Sequence, residues 1–196
     1  TAGDKVTVAW CDLLSPAKWN TGTAGTLVTS SVWPKGGDVI TALGAHNGFL
    51  FIFGRNNILE YANAQTPASL SLQDAVVGIG CIARDTVANT GTDLIFLSST
   101  GVRSVQRTIQ EKSSPLNDLS KNVRNDLMSA VNSETASSIK TVYSPRDAFY
   151  LLTLPTLKSV YCFDTKGSLQ DGSLRVTTWD SIEPLSFCKK QDGTLL

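Results

Sequence analysis

The sequence has few of the residues from which catalytic and metal sites are usually built. It contains one histidine, and its four cysteines lie far apart with no C-x-x-C pair. A zinc site draws on clustered cysteine and histidine ligands, so none is expected. Any pairing of a nucleophile with histidine would have to use His46, which lies in the stretch GAHNG, where a turn histidine is the simpler interpretation. We therefore predict no enzymatic activity, no catalytic residue, no metal and no cofactor.

The sequence also lacks net charge and long apolar runs. Its 17 basic residues balance its 17 acidic residues, and its pI is about 6.5. Nothing in this balance favours binding to nucleic acid or to a membrane surface. No apolar run is long enough to cross a membrane, so no membrane-spanning segment is expected. Strand-like runs contain or flank all four cysteines, which predicts reduced, buried thiols and assembly in a cytoplasm; these are Cys11, Cys81, Cys162 and Cys188.

What the sequence does contain is a repeated pattern of strands. Dense apolar strands begin at Phe49, Leu94, Phe149 and Thr194, which gives spacings of 45, 55 and 45 residues. Spacing of roughly this size is typical of the four-stranded blades of a propeller. The sequence therefore predicts a mainly β fold with β-propeller-like blades of antiparallel sheets. The predicted blade units are residues 38–63, 75–108 and 137–181, and another starts at 184–196.

The run from Phe49 to Phe53 is apolar at every position. A strand of this kind is expected to be covered on both faces, as in a propeller, where each blade packs between two others. The outermost strands of blades are assigned to VTVAWCD (6–12) and RVTTWDS (175–181). Because the chain opens on a strand without its own blade and stops inside a hairpin, we expect residues 1–196 to be an incomplete part of a larger ring.

One helix is predicted, as an insertion over residues 114–132. Ser114 is a suitable N-cap, with Pro115 at the first helical position. An apolar face that packs on the sheets would be formed by Leu116, Leu119, Val123, Leu127 and Val131. The opposite face is polar, and it supplies a candidate interface with a partner subunit, formed by Asp118, Lys121 and Asn125.

Four aspartates lie beside predicted turns, and two carboxylates are all that a glycosidase requires. They are Asp85, Asp93, Asp147 and Asp164. Aspartate is common in turns because its side chain binds nearby backbone N–H groups, and this interpretation is preferred. The segment RDTVANTGTD (84–93) does not have the ligand spacing of a calcium loop.

Several motifs together resemble a known family of phage proteins. The stretches FLFIFGRNNILEY and VVGIGCIARDTVANTGTDLIFLSSTGVRSV are similar to the blade pattern of tail proteins from short-tailed bacteriophages. The stretch RDAFYLLTLPTLKSVYCFD resembles a strand pair of the same family, and AWCDLLSPAKWN resembles its connector. The family comprises the tail nozzle proteins, also called tail tubular protein B, and the packaged-DNA stabilisation proteins.

The resemblance implies a structural, non-enzymatic virion protein. Family members are usually hexamers that sit below the portal and adaptor rings, retain the packaged genome and form the channel for its ejection. A homo-oligomer is therefore expected, in contact with the tail adaptor and other tail proteins, in a virion tail assembled in the host cytoplasm. Zero net charge suits a channel wall past which genomic DNA slides without specific binding.

Two alternative hypotheses stay open. One is a glycan-binding or glycan-cleaving propeller of a receptor-binding tail component, in which Asp93 and Asp147 would be the carboxylates to test. The other is a cellular propeller that serves as a protein-interaction platform. Propellers present ligand loops at one end in many unrelated proteins, so the fold alone does not choose between these functions.

Overall fold

The computed structural model describes residues 4–111, 118–192 and 194–195. Within these residues the fold is mainly β, with four antiparallel sheets and two α-helices. The mainly β fold predicted from the sequence is thus confirmed. The chain divides into two compact units, Thr1–Gly80 and Cys81–Leu196, a division that the sequence did not predict.

The first unit contains a two-stranded and a four-stranded sheet. Strands β1 (Thr7–Trp10) and β2 (Gly25–Val28) form an antiparallel hairpin. The four-stranded sheet is an antiparallel meander, in which each strand pairs with the next one along the chain. Its strands are β3 (Ile40–His46), β4 (Phe49–Gly54), β5 (Asn57–Ala62) and β6 (Ser71–Val77).

Both faces of β4 are buried, as its unbroken apolar run predicted. Ile52 packs in a core with Leu59 of β5 and Val8 of β1. Its neighbours Phe51 and Phe53 are also buried. Successive side chains of a strand point to opposite faces of the sheet, so burial of these three residues means that both faces are covered. The two residues of the strand nearest the preceding turn are only partly buried.

The second unit contains two further meanders and both helices. The smaller sheet is formed by β7 (Ala88–Asn89), β8 (Leu94–Ser98) and β9 (Gly101–Ser104). The helices α1 (Val105–Glu111) and α2 (Arg124–Asn132) follow it in the chain. The larger sheet is formed by β10 (Lys140–Ser144), β11 (Phe149–Leu154), β12 (Ser159–Ser168) and β13 (Leu174–Asp180).

The larger sheet of the second unit is also buried on both faces. One face shares a core with β8 and α2, which is formed by Leu97, Leu127, Tyr150, Leu152 and Phe163 among others. The opposite face carries a second cluster, formed by Leu151, Val160 and Cys162. Phe187 and Leu195 of the C-terminal segment pack against this second cluster. The second unit is therefore layered, with the larger sheet between the smaller sheet and the C-terminal segment.

Three of the four predicted strand starts are confirmed, because Phe49, Leu94 and Phe149 are the first residues of β4, β8 and β11. No strand begins at Thr194. In the described part of the C-terminal segment, a single antiparallel bridge joins Lys189 to Leu195.

The structure differs from the prediction in the limits of one repeated unit and in the place of one predicted outermost strand. Ala75, Val76 and Val77 were assigned to the second unit, but they pair with β5 and complete the first sheet as part of β6. RVTTWDS coincides with β13, the last strand of its sheet, whereas VTVAWCD contributes β1 to the separate two-stranded hairpin.

The predicted helix over residues 114–132 is only partly right. Ser114, Pro115 and Leu116 lie outside the described residues, and residues 118–120 are not helical. A 3-10 turn at Lys121–Val123 leads into α2. The predicted apolar face does pack on the sheets, since Leu119, Leu127 and Val131 are buried and Val123 is partly buried.

The helix α1 was missed, because residues 105–108 were assigned to the end of the predicted blade unit 75–108. The Ser104 hydroxyl accepts a hydrogen bond from the N–H of Arg107 (3.2 Å), the geometry of a helix N-cap. Asp93, from another segment of the second unit, accepts a hydrogen bond from a second N–H of this first turn, that of Gln106 (3.1 Å). The second contact could not be read from local sequence.

All four cysteines are free thiols. Cys81 and Cys162 are buried, as the strand-like runs predicted, and Cys11 is partly buried. Cys188 is exposed, so the prediction of a buried thiol is wrong there. Its segment forms no strand, and it is the neighbouring Phe187 that packs on the larger sheet.

One carboxylate holds the turn between β4 and β5. Asp38 accepts hydrogen bonds from the N–H groups of Arg55 (2.9 Å) and Asn56 (2.7 Å) and from the side-chain amide of Asn57 (2.9 Å). It also accepts from the N–H of Val39 (2.8 Å). Turn N–H groups have no partner in the strand ladder, so Asp38 supplies the acceptors that the turn needs.

We expect Asp38→Ala to lower the free energy of unfolding by about 2–4 kcal/mol, because several donors lose a charged acceptor at once. Urea unfolding of the variant and the wild-type chain measures the difference. Asp126→Ala removes an exposed aspartate of α2 and is the control for loss of one negative charge. Equal stability of the two variants would contradict the role given to Asp38.

Candidate functional site

A polar cleft of about 320 Å³ lies in the second unit, where strands of both sheets begin or end. The smaller sheet and the start of α1 contribute its main polar lining, formed by Thr90, Thr92, Asp93, Ser104, Gln106 and Arg107. The larger sheet contributes Tyr143, Ala148 and Thr165. Ile95, Leu119 and Leu174 supply the apolar lining. The volume is at the lower end of the ~300–1,000 Å³ range of small-molecule pockets.

Asp93 is fixed in the cleft by three donors. Its Oδ1 accepts from the N–H groups of Leu94 (2.7 Å) and Gln106 (3.1 Å), and its Oδ2 accepts from the Ser104 hydroxyl. Asp93 therefore joins the start of β8 to the start of α1. A carboxylate has about four acceptor sites, so one site on Oδ2 is left for a further donor.

The walls around Asp93 are held by their own hydrogen bonds. The Thr90 hydroxyl donates to the Asp93 carbonyl (3.0 Å) and accepts from the Asp93 N–H (3.0 Å), which closes the loop between β7 and β8. Arg107 Nη1 donates to the carbonyl of Gly172 (2.6 Å) and so ties α1 to the loop before β13. Thr165 Oγ1 donates to the Ala148 carbonyl (2.7 Å). The cleft is thus formed by segments already fixed to one another.

The structure does not bring the two carboxylates of the glycosidase hypothesis into one site. Asp93 is the one carboxylate among the described residues that line the cleft. Asp147 lies in the exposed turn between β10 and β11, where it accepts a hydrogen bond from the Ser144 hydroxyl (2.9 Å). Glycoside hydrolysis ordinarily needs two carboxyl groups across the bond that is broken.

The two remaining aspartates also have partners within the second unit. Asp164 accepts from the N–H of Lys166 (3.0 Å) beside the irregularity of β12. Asp85 pairs with Arg84 and Lys140. Local hydrogen bonding to the backbone was the interpretation preferred from the sequence. Asp164 agrees with it, whereas the partners of Asp85 are side-chain cations, one of them 55 residues away in the chain.

His46 is the last residue of β3 and pairs with Phe49 across a two-residue turn. The turn residues Asn47 and Gly48 have φ of 50° and 80°, as a type I′ turn requires. This agrees with the interpretation of His46 as a residue beside a turn.

Two of the three residues predicted for the partner interface are exposed in the structure, and the third is buried. Lys121, in the 3-10 turn before α2, and Asn125, in the first turn of α2, are exposed as predicted. Asp118 is not, because its side chain is fully buried and forms an ion pair with Arg124. Arg124 Nε lies 2.7 Å from Asp118 Oδ2, and the Ser120 hydroxyl donates to Asp118 Oδ1 (3.1 Å). Asp118 therefore belongs to the interior, and the exposed face retains Lys121 and Asn125.

Most of the cleft could not be found from the sequence. Its residues come from three segments, 90–107, 143–148 and 165–174, and from Leu119, all of which the topology of the second unit brings together. Asp93 alone was singled out, as an acidic residue ahead of a strand. Gln106 and Tyr143 carried no signal, because each resembles an ordinary residue of its helix or strand.

No protein-family model and no curated protein matches this chain. Across the described ranges, His, Cys, Asp and Glu side chains form no group of three that could hold a metal ion. None of the helices that the structure describes is long and apolar enough to cross a membrane.

The proton affinity of Asp85 is lowered by its two cationic partners. The hydrogen bond from Arg84, reinforced by Lys140, lowers the pKa of Asp85 from its usual 3.8 to about 2, against a smaller opposing effect of burial. Because the folded pKa is depressed, the stabilisation is present above about pH 4 and is lost as the pH falls towards 2. Lys140 lies on β10, so this contact ties the 3-10 turn at Arg84–Thr86 to the larger sheet.

We expect Asp85→Asn to lower stability at about pH 5, and the difference from wild type to shrink at about pH 3. Arg84 is mostly exposed, so the contribution is no more than about 1 kcal/mol. Urea unfolding at the two pH values measures it. Asp147→Asn, in an exposed turn, is the control for loss of charge. A difference that grows on acidification would contradict the assignment.

We expect Arg124→Ala to lower the free energy of unfolding by about 3 kcal/mol, because it leaves the buried Asp118 carboxylate without this partner. Lys121→Ala, three residues earlier and exposed, should change stability by less than about 0.5 kcal/mol. Thermal and urea unfolding of both variants provide the comparison. Similar effects at the two positions would contradict the stabilising role given to the ion pair of Asp118 with Arg124.

Proposed function

We propose that this chain is a propeller portion of a tail nozzle protein of a short-tailed bacteriophage, with a structural role. The observation that carries the proposal is the layered second unit, in which a four-stranded meander is buried on both faces. A propeller blade has this strand order and this environment, because each blade packs between its neighbours. The meander of the first unit has the same strand order.

The spacing of the central strands supports the same proposal. The strands β4, β8 and β11 begin 45 and 55 residues apart, and the longer interval contains both helices. Blades of roughly 40–50 residues, with insertions between strands, are typical of propellers. In this proposal the helical segment is an insertion into a blade array rather than part of a separate domain.

In the proposed role the chain forms part of a channel wall that retains the genome and lets it pass at ejection. A balance of 17 basic and 17 acidic residues gives the wall no overall attraction for the phosphate backbone. The exposed residues Lys121 and Asn125 of the helical insertion are the proposed contact with a neighbouring subunit of a homo-oligomer.

Mass spectrometry of purified phage particles tests the proposal. The tryptic peptide DAFYLLTLPTLK, residues 147–158, identifies the chain. We expect it in intact tails at a constant ratio to the portal and adaptor proteins. Whole particles and tails separated from heads should both contain it. Absence of the peptide from particles, with the protein present in the infected cell, would contradict a virion role.

A further inference from the structure

We infer that the polar cleft of the second unit binds one neutral sugar ring, a function beyond the structural role proposed above. The cleft combines a hydrogen-bonding wall, an aromatic side chain and an apolar lining in about 320 Å³. Small-molecule sites are mostly apolar with a few fixed polar groups, and this volume admits a ligand of monosaccharide size.

Three groups at the cleft have hydrogen-bonding capacity to spare. Among the residues that the structure describes, only the Ser104 hydroxyl donates to Asp93 Oδ2, which leaves one acceptor site. The side-chain amide of Gln106 and the hydroxyl of Tyr143 make no hydrogen bond with the residues that the structure describes, and both residues line the cleft. Together they offer acceptors and donors, which matches the paired donor and acceptor character of sugar hydroxyls.

Tyr143 adds a surface for the apolar side of a sugar ring. Its side chain is partly buried and packs against the main core of the second unit. An aromatic ring held in this way supplies contact area at low entropic cost, while its hydroxyl stays available for a hydrogen bond. Ile95 and Leu174 extend the apolar lining.

The charges at the cleft favour a neutral ligand over an anionic one. Asp93 and Arg107 have opposite charges, so the lining has no net charge among the described residues. Arg107 already donates a hydrogen bond to the carbonyl of Gly172, so one nitrogen of its guanidinium is engaged within the protein. An acidic sugar or a phosphate would also face the Asp93 carboxylate, and this repulsion opposes its binding.

The site is proposed for binding and not for hydrolysis. Asp93 is the single carboxylate of the described lining, and it is held by three donors. Asp147 accepts its hydrogen bond in an exposed turn. The arrangement therefore has an acceptor for a sugar hydroxyl but lacks the second carboxyl group that bond cleavage ordinarily needs.

Ligand-observed NMR with the full 196-residue chain tests the inference. The probes are glucose, galactose, mannose and N-acetylglucosamine, with glucuronate and inorganic phosphate as anionic comparisons. We expect saturable binding of at least one neutral sugar with a dissociation constant on the order of 1 mM, as the small size of the ligand implies. Weaker or no binding of the two anions is expected.

Two variants assign the binding to the cleft. Gln106→Ala should lower the affinity for the sugar about tenfold. Tyr143→Phe keeps the aromatic ring and should lower the affinity several-fold. Neither side-chain group bonds to described residues, so both variants should fold, as thermal unfolding checks. Asp147→Asn, outside the cleft, should bind as the wild type does.

The inference is overturned by any of three results. These are no saturable binding of a neutral sugar, tighter binding of phosphate or glucuronate than of any neutral sugar, and sugar binding that neither Gln106→Ala nor Tyr143→Phe weakens. Because the measurement uses the isolated chain, its outcome is independent of whether the protein is found in phage particles.

Discussion

Burial of the central strands on both faces is the constraint on which the rest of the structure depends. In β11, Tyr150 and Leu152 face one core while Leu151 faces another. A sheet that is apolar on both faces is stable only when a layer covers each of them, because the hydrophobic effect grows with the apolar area removed from water. The order of layers in the second unit follows from this requirement. The polar lining of the cleft lies where strands of the two sheets begin or end.

Carboxylates at turns and at the starts of helices mainly stabilise the fold. Asp38 binds the turn after β4, Asp93 binds the starts of β8 and α1, and Asp118 binds Arg124 at the entry to α2. Each lies where the strand ladder or helix leaves N–H groups or a cation without a regular partner. One carboxylate accepts several hydrogen bonds, so it can replace the missing ladder contacts at a single position. This explains why acidic residues near turns need not indicate catalysis.

The sequence predicted the central strands well because their signal is local. Unbroken apolar runs mark the starts of β4, β8 and β11, and burial on both faces follows from the same runs. The errors arose where distant residues decide the structure. Val76 lies in an apolar run of the same kind, but its pairing with Ile58 places it in the first sheet. Helical periodicity placed Asp118 on a polar face, whereas its contact with Arg124 draws it into the interior. For the cleft, the sequence identified Asp93 and could not identify Tyr143 or Gln106, which the topology brings there.

A scaffold and a sugar site can coexist in this unit because they use different side chains. The stack is held by residues that are buried in the sheets, such as Leu152 and Phe163. The side chains with spare hydrogen bonds, Gln106 and Tyr143, lie at the ends of the elements. Removing an exposed amide such as that of Gln106 changes little apolar burial, whereas losing Phe163 would open the core. The layered fold therefore fixes the position of the cleft without depending on what the cleft binds, and each proposal can fail while the other stands.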